Sequence, residues 1–242
     1  MDQRSENNFR KENKMKLLLT SLLSLAFTCL IAADSVKIEF NRKNFDESEK
    51  LPKNWGLKGK LFTKKPTYEI VRAENGQEVL RINVDRATGT ILYNISGVLQ
   101  KYPIMRWKWR VLSLPKNADG REDELDDQVI AIYVGVGTVS TNSRAYRWET
   151  ETPKGYTGDV RYGGGMVKVN WTCLRNKTDG IGKWYTEEVN AAEDLKKICG
   201  GKLPTEDVAV SISSNSQYTK SKASAEIEYI EFLPLKKAGG KK

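Results

Sequence analysis

The clearest pattern in the chain is a run from Pro103 to Leu112 in which bulky apolar residues alternate with cations. Because successive side chains of a strand point to opposite faces, this alternation predicts a β-strand with one face in the core. The apolar face carries two tryptophans, Trp107 and Trp109, which we expect to be buried. The opposite face then carries a row of positive charge, formed by Arg106, Lys108 and Arg110.

Short β-rich segments recur along most of the chain. Further strands are predicted at 36–40, 68–72, 78–84, 90–96, 129–136, 144–150, 166–171, 208–213 and 223–232. Asn75-Gly76, a strong hairpin signal, stands between two of them. The segment 129–136 is almost wholly apolar, which is typical of a strand in the middle of a sheet. The last segment is predicted to alternate without interruption, with Ala225, Ile227, Tyr229 and Glu231 on one face.

One helix is predicted, at 190–199, because apolar residues recur there at helical spacing and Gly200-Gly201 follow. About ten short strands, one short helix near the C-terminal third and no internal repeat predict an all-β fold, a jelly-roll β-sandwich. No linker interrupts the pattern, so residues 34–235 are predicted to form a single domain. The tail 236–242 is rich in lysine and glycine and is predicted to be disordered.

Residues 1–33 predict an N-terminal extension with a signal peptide. Met15 and Lys16 precede an uncharged apolar run that ends in small residues near Ala33, the arrangement of a secretory signal. We expect cleavage near the end of that run and export to the periplasm or the medium. The alternative is an uncleaved membrane anchor, since the run is near the lower length limit for a bilayer span. Either Met1 or Met15 could be the start of translation.

The net charge of +9 is unevenly distributed. Residues 1–33 carry +2 and the tail beyond Leu235 carries +4, which leaves +3 on the body. A nucleic-acid-binding domain concentrates basic charge on its folded surface, so this distribution argues against nucleic acid as a partner. The chain has no histidine, which excludes Ser-His-Asp catalysis, Cys-His catalysis and His-ligated zinc.

Two cysteines, Cys173 and Cys199, remain after removal of the predicted signal peptide. An even pair in an exported chain predicts a disulfide. The alternative is two separately buried thiols.

Several motifs, taken in order, resemble a known family. They are Leu51-Pro-Lys-Asn-Trp55, Tyr102-Pro-Ile-Met-Arg-Trp-Lys-Trp-Arg110, Asp126-Asp127 before an apolar strand, Tyr146-Arg-Trp148, and Gly182-Lys-Trp184 leading to Glu188-Val-Asn190. As a set, spread over about Phe40 to Phe232, they resemble the bacterial domain-of-unknown-function family 3047. The resemblance implies an extracytoplasmic jelly roll, galactose-binding-like or concanavalin-like, with no established activity. The family's acidic turn before the last strand is replaced here by Ser213–Tyr218, which weakens any inference of a metal site there.

The cationic row is the leading candidate for a binding site. Neighbouring cations on one strand face lie roughly 7 Å apart, a spacing that suits an extended anionic chain such as a uronate or sulfated glycan. The alternative is a solvated face balanced by carboxylates on adjacent strands. Further ligand-binding residues are predicted to line the same groove if their strands are neighbours: Tyr133, Tyr146, Trp148 and Lys168.

Asp126 and Asp127, with Asp123 and Glu124 nearby, could hold a structural calcium ion, which binds oxygen ligands. A charged surface turn, or a carboxylate paired with the cationic row, is the alternative. No other cofactor is predicted.

The leading hypothesis is an exported, non-catalytic envelope protein that binds an acidic glycan on the cationic face. A polysaccharide lyase is the first alternative, because an arginine could neutralise a uronate while a tyrosine or lysine moves the proton. Its candidates are Arg106, Tyr133, Tyr146 and Lys168. The second alternative is a module that binds a partner protein in the envelope. The sequence does not predict an oligomeric state.

Overall fold

The computed structural model describes residues 35–58 and 63–236, which excludes the predicted signal peptide and most of the basic tail. In chain order the strands are β1 (Val36–Glu39), β2 (Phe45–Asp46), β3 (Leu51–Pro52), β4 (Gly56–Lys58), β5 (Thr67–Arg72), β6 (Glu78–Asp85), β7 (Thr88–Asn94), β8 (Ile104–Ser113), β9 (Ile130–Val136), β10 (Thr141–Trp148), β11 (Thr157–Tyr162), β12 (Val167–Arg175), β13 (Tyr185–Asn190), β14 (Val208–Asn215) and β15 (Lys222–Leu233). The helices are α1 (Val98–Lys101) and α2 (Ala191–Ile198).

The strands form two large sheets and one small ribbon. The six-stranded sheet has the order β13-β8-β15-β6-β5, with β1 also paired to β15. The seven-stranded sheet has the order β11-β12-β10-β9-β14-β7-β4, and β2 pairs with β3. Within the seven-stranded sheet β10 and β12 are parallel, and the other pairs are antiparallel. The protein is therefore an all-β jelly-roll sandwich, as predicted, and β9 lies inside a sheet, also as predicted.

The core lies between the two sheets and is rich in aromatic rings. Trp107 and Trp109 on β8 are fully buried, which confirms the predicted direction of their side chains. The Trp107 ring lies 5.4 Å from that of Tyr146, and the Trp109 ring lies 5.5 Å from that of Trp148. Tyr146 and Trp148 are thus core residues, with Trp148 0% exposed. The prediction that these two line a binding groove is wrong, because their strand turns them toward the other sheet.

The last strand departs from the uninterrupted alternation predicted for it. A bulge lies between Ile227 and Tyr229 where β15 pairs with β8. Because a bulge adds one residue to one strand, it reverses which positions face the core. Ile227 before the bulge and Ile230 after it are consequently both buried, and Tyr229 faces away from the core.

The predicted helix and hairpin are both present. Asn190 caps α2 by accepting a hydrogen bond from the backbone N–H of Glu193 at 3.0 Å, as expected for a residue that satisfies a free N–H of the first turn. Asn75-Gly76 connects β5 to β6. Among the described residues, neither helix has the length and apolar character needed to cross a bilayer.

Both cysteines of the described residues are free, so the predicted disulfide is wrong. Cys173 belongs to a small apolar cluster on the outer side of the seven-stranded sheet, whereas Cys199 packs against the central core. Burial raises the pKa of the Cys173 thiol to about 12. Cys173 therefore remains a protonated, unreactive thiol at neutral pH.

Candidate functional site

A groove of about 280 Å³ crosses the outer face of the seven-stranded sheet. On β14 and β9 the residues that line it alternate with core residues, because Ser211 and Tyr133 point outward while Ile212 and Ile132 are buried. The lining combines apolar residues with polar ones. The apolar side chains are Leu92, Val136, Val167, Val169 and Ala209. Hydroxyl and amide side chains and three tyrosines make up the polar part: Thr88, Thr90, Thr141, Ser143, Ser211, Ser213, Gln128, Asn215, Gln217, Tyr133, Tyr162 and Tyr218.

Strand pairing explains why these residues meet. Ser211 lies opposite Leu92 on β7 and opposite Tyr133 on β9. Gly135, two residues beyond Tyr133, lies opposite Ser143, and a Cβ atom at Gly135 would come within 2.4 Å of the Ser143 Oγ. A larger residue at position 135 would therefore displace the Ser143 side chain, and the small residues at this pair leave the groove open above them.

Beneath the tyrosines lies a buried ionic group that we call the Arg147 cluster: Arg147, Asp126, Glu149 and Tyr162. The Arg147 guanidinium donates to Asp126 at 2.7 Å, and the Tyr162 hydroxyl donates to the same carboxylate at 2.5 Å. Glu149 is farther from the guanidinium, at 3.4 Å. Because Tyr162 also lines the groove, the cluster fixes the position of one groove wall.

The Arg147 cluster holds two carboxyl groups for one buried cation. Burial raises the pKa of Glu149 from 4.5 to about 7, even though the charge of Arg147 acts in the opposite direction. A physical reason is that Asp126, at the shorter distance, already balances Arg147. Glu149 therefore titrates near neutral pH, inside the protein.

We expect Glu149→Gln to change how stability depends on pH. Between pH 4.5 and about 7 the folded protein keeps a proton on Glu149 that the unfolded chain releases. The free energy of unfolding should therefore fall as pH rises through this window, by up to about 1.4 kcal/mol per pH unit from this group. Urea denaturation at several pH values should show a flatter profile in Glu149→Gln. An unchanged profile would show that Glu149 is already ionised at pH 5.

The predicted cationic row lies on the outer face of the other, six-stranded sheet. Its members point outward as predicted, but each is paired with a carboxylate. Arg106 pairs with Glu188 at 2.5 Å, Lys108 with Glu228 at 2.6 Å, and Arg110 with Glu226 at 2.6 Å. Arg110 is only 5% exposed. This matches the alternative predicted from the sequence, in which carboxylates on adjacent strands balance the cations. The positive charges of the row are therefore already neutralised and do not offer a binding surface for an anionic chain.

The seven predicted ligand-binding residues do not form one site. Tyr133 lines the groove, and the cationic row lies on the opposite side of the sandwich. Lys168 is exposed on β12, but it does not line the groove because it points to the face opposite that of Val167 and Val169. Tyr162, Tyr218, Ser143 and Ser211 line the groove without having been predicted.

Protein donors occupy the carboxylates that were predicted to bind calcium. Asp126 belongs to the Arg147 cluster, and Asp127 accepts from the backbone N–H groups of Tyr218 and Thr219 at 3.2 and 2.7 Å. Burial raises the pKa of Asp127. In the part of the chain that the structure describes, no group of three or more candidate metal ligands occurs. A structural calcium ion remains a prediction from the sequence.

The fold and the groove define a jelly-roll β-sandwich with an open groove, lined by apolar, hydroxyl and amide side chains, on one sheet. The chain belongs to the family described as "Protein of unknown function (DUF3047)", whose model matches residues 53–231. This match confirms the resemblance found in the sequence motifs. No curated protein matches the chain.

Several solved structures are similar to this chain at low sequence identity. A family 11 carbohydrate-binding module from Clostridium thermocellum, in complex with a β-1,3-1,4-mixed-linked tetrasaccharide, is 9% identical with a TM-score of 0.42, covering 82% of this chain and 95% of the other. Winged bean acidic lectin with methyl-α-D-galactose is 12% identical with a TM-score of 0.44, covering 84% and 100%. Endoglucanase cel12A from Rhodothermus marinus is 8% identical with a TM-score of 0.42, covering 83% and 100%. Likenesses this distant carry no inference about ligand or activity.

Proposed function

We propose that the protein is exported and binds a glycan, without catalysis, in the groove of the seven-stranded sheet. The observation that carries the proposal is the lining, which combines three tyrosines with hydroxyl and amide side chains. Aromatic faces suit the apolar faces of sugar rings, and hydroxyl and amide groups can both donate to and accept from sugar hydroxyls. A largely preformed depression with a few converging polar groups is also typical of a small-molecule site.

The geometry favours binding over catalysis. A lyase would require a tyrosine that gives up its proton easily, whereas burial raises the pKa of both Tyr133 and Tyr162. Its arginine candidate from the sequence, Arg106, is paired with Glu188 on the other sheet. A glycosidase would require two carboxyl groups on either side of the bound sugar. No carboxylate is among the described residues that line the groove.

Export is proposed from the pattern of residues 1–33 alone. Expression in a bacterial host, separation of the periplasm and N-terminal sequencing of the mature chain test it. The expected mature chain begins near Asp34. A chain retained whole in the cytoplasm would contradict export without affecting the groove.

We expect Tyr218→Ala to weaken glycan binding about tenfold, because one aromatic contact in such a site is worth about 1.4 kcal/mol. A glycan array identifies the glycans that the wild-type protein retains, and calorimetry then measures their affinity for each variant. Tyr229→Ala is the matched control, since Tyr229 is partly exposed on the six-stranded sheet and should leave affinity unchanged. Failure of the wild-type protein to retain any glycan, or equal losses in both variants, would contradict the proposal.

A further inference from the structure

The groove is almost without charge. Lys58 is the one charged residue that lines it among the described residues, and the Lys58 Nζ donates to the Thr138 carbonyl at 3.4 Å. The buried cation beneath the tyrosines, Arg147, is balanced by Asp126 at 2.7 Å. An acidic chain that lost its water in this groove would find no row of cations to compensate its charge. Within the described part of the chain, no carboxylate lines the groove to bind a cationic sugar either.

The floor of the groove instead presents serine hydroxyl groups. Ser143 and Ser211 both line it, and neither side chain hydrogen-bonds to another described residue. A serine hydroxyl can donate one hydrogen bond and accept others, as a sugar hydroxyl can. The available polar groups are therefore those that pair with an uncharged, polyhydroxylated ligand.

The groove is also long. Its lining runs from Lys58 on β4 to Tyr162 on β11, and so draws on all seven strands. With strands about 4.8 Å apart, the six intervals from β4 to β11 make the sheet about 29 Å wide. A single sugar ring would reach the lining residues of only some of these strands, whereas a chain of rings laid across the strands could reach more of them.

We infer that the groove takes an uncharged glycan chain that lies across the strands. The inference rests on the proposed function and adds to it the class of glycan and its direction. An uncharged glycan replaces the acidic glycan expected from the sequence. The sequence placed the binding site on the cationic face of the six-stranded sheet, whereas the proposed site is the nearly uncharged groove of the seven-stranded sheet.

A matched pair of variants at Ser211 tests the charge of the ligand. Ser211 is partly exposed, and it lies between Leu92 and Tyr133 near the middle of the groove. With an uncharged chain, Ser211→Asp and Ser211→Lys should each weaken binding by similar factors, about tenfold, because each removes a hydroxyl and adds a side chain that must lose water. The wild-type dissociation constant should be the same at low and high salt.

The ligands for this test are the array glycans that the wild-type protein retains, together with uronate oligomers of equal length. Tighter binding by Ser211→Lys, with salt-sensitive binding of uronates by the wild-type protein, would overturn the inference and leave the proposed function standing. A wild-type protein that retains no glycan would overturn both. Should the charged variants fail to fold, Ser211→Ala is expected to lose about threefold, and the salt series alone decides the charge.

A length series tests the direction. Affinity for the retained glycan should rise from disaccharide to longer oligomers and level off once the groove is filled. Equal affinity for a monosaccharide and a hexasaccharide would show that a single ring is bound, contrary to the inference.

Discussion

Replacing Arg147 with methionine is expected to lower the free energy of unfolding by about 3–5 kcal/mol, because it leaves buried acidic groups without their cation. Arg147 is fully buried, and its guanidinium contacts both Asp126 and Glu149 while it stacks on the Trp171 ring at 4.3 Å. Methionine keeps much of the apolar stem but none of the charge. Urea denaturation at pH 7 measures the loss.

Two further variants separate this effect from a simple loss of packing. Adding Asp126→Asn and Glu149→Gln to Arg147→Met removes the stranded charges and should recover most of the lost stability. Arg161→Met is the surface control, since Arg161 is exposed on β11, and it should change stability by no more than about 0.5 kcal/mol. If the triple variant is no more stable than Arg147→Met alone, packing accounts for the loss.

The Arg147 cluster also connects stability with the proposed site. Tyr162 donates to Asp126 and lines the groove, so the cation that holds Asp126 also holds one wall in place. Buried ion pairs and their hydrogen bonds favour one arrangement of the groups around them. The Arg147 cluster therefore fixes the position of Tyr162 in the wall of the proposed site.

Some of this architecture could be predicted from the sequence because it is local. Alternation placed Trp107 and Trp109 inside, and apolar residues at helical spacing followed by two glycines predicted α2. The bulge in β15 also leaves a signal, since Ile227 and Ile230 are three residues apart and both apolar. Strict alternation placed Tyr229 on the same face as Ile227, because it does not allow for the residue that the bulge adds between them.

The site could not be predicted in the same way because it depends on strand order. Ser211 and Ser213 alternate with core residues on β14, which is visible in the sequence. Ser211 lies beside Tyr133 because β14 pairs with β9. Tyr162 reaches the same groove because β11 pairs with β12, which in turn pairs with β10. The pairings of β14 with β9 and of β12 with β10 join strands that are not consecutive in the sequence. The same limit applied to the cationic row, because Glu226, the partner of Arg110, lies 116 residues away in the chain.

Within that row we expect Glu226→Gln to cost about 3 kcal/mol of unfolding free energy. Glu226 is 0% exposed and accepts from Arg110 at 2.6 Å and from Arg81 at 2.6 Å. Glutamine keeps the shape but removes the negative charge. Among the described residues, Arg110 then keeps one carboxylate partner, the exposed Glu74 at 2.8 Å, together with the Gly182 carbonyl at 3.3 Å. A buried cation with so little compensation is expensive. Urea denaturation at neutral pH measures the change.

Glu188→Gln is the matched control, because it makes the same chemical change on the same face of the sheet at a pair that solvent reaches. Glu188 is 42% exposed and pairs with Arg106, so its loss should cost no more than about 1 kcal/mol. A much larger loss of stability in Glu226→Gln than in Glu188→Gln would show that the ion pair of Arg110 is buried and that of Arg106 is exposed to solvent. Equal, small losses would mean instead that solvent screens Arg110 as well, and the cationic face would again become a candidate for binding an anionic chain.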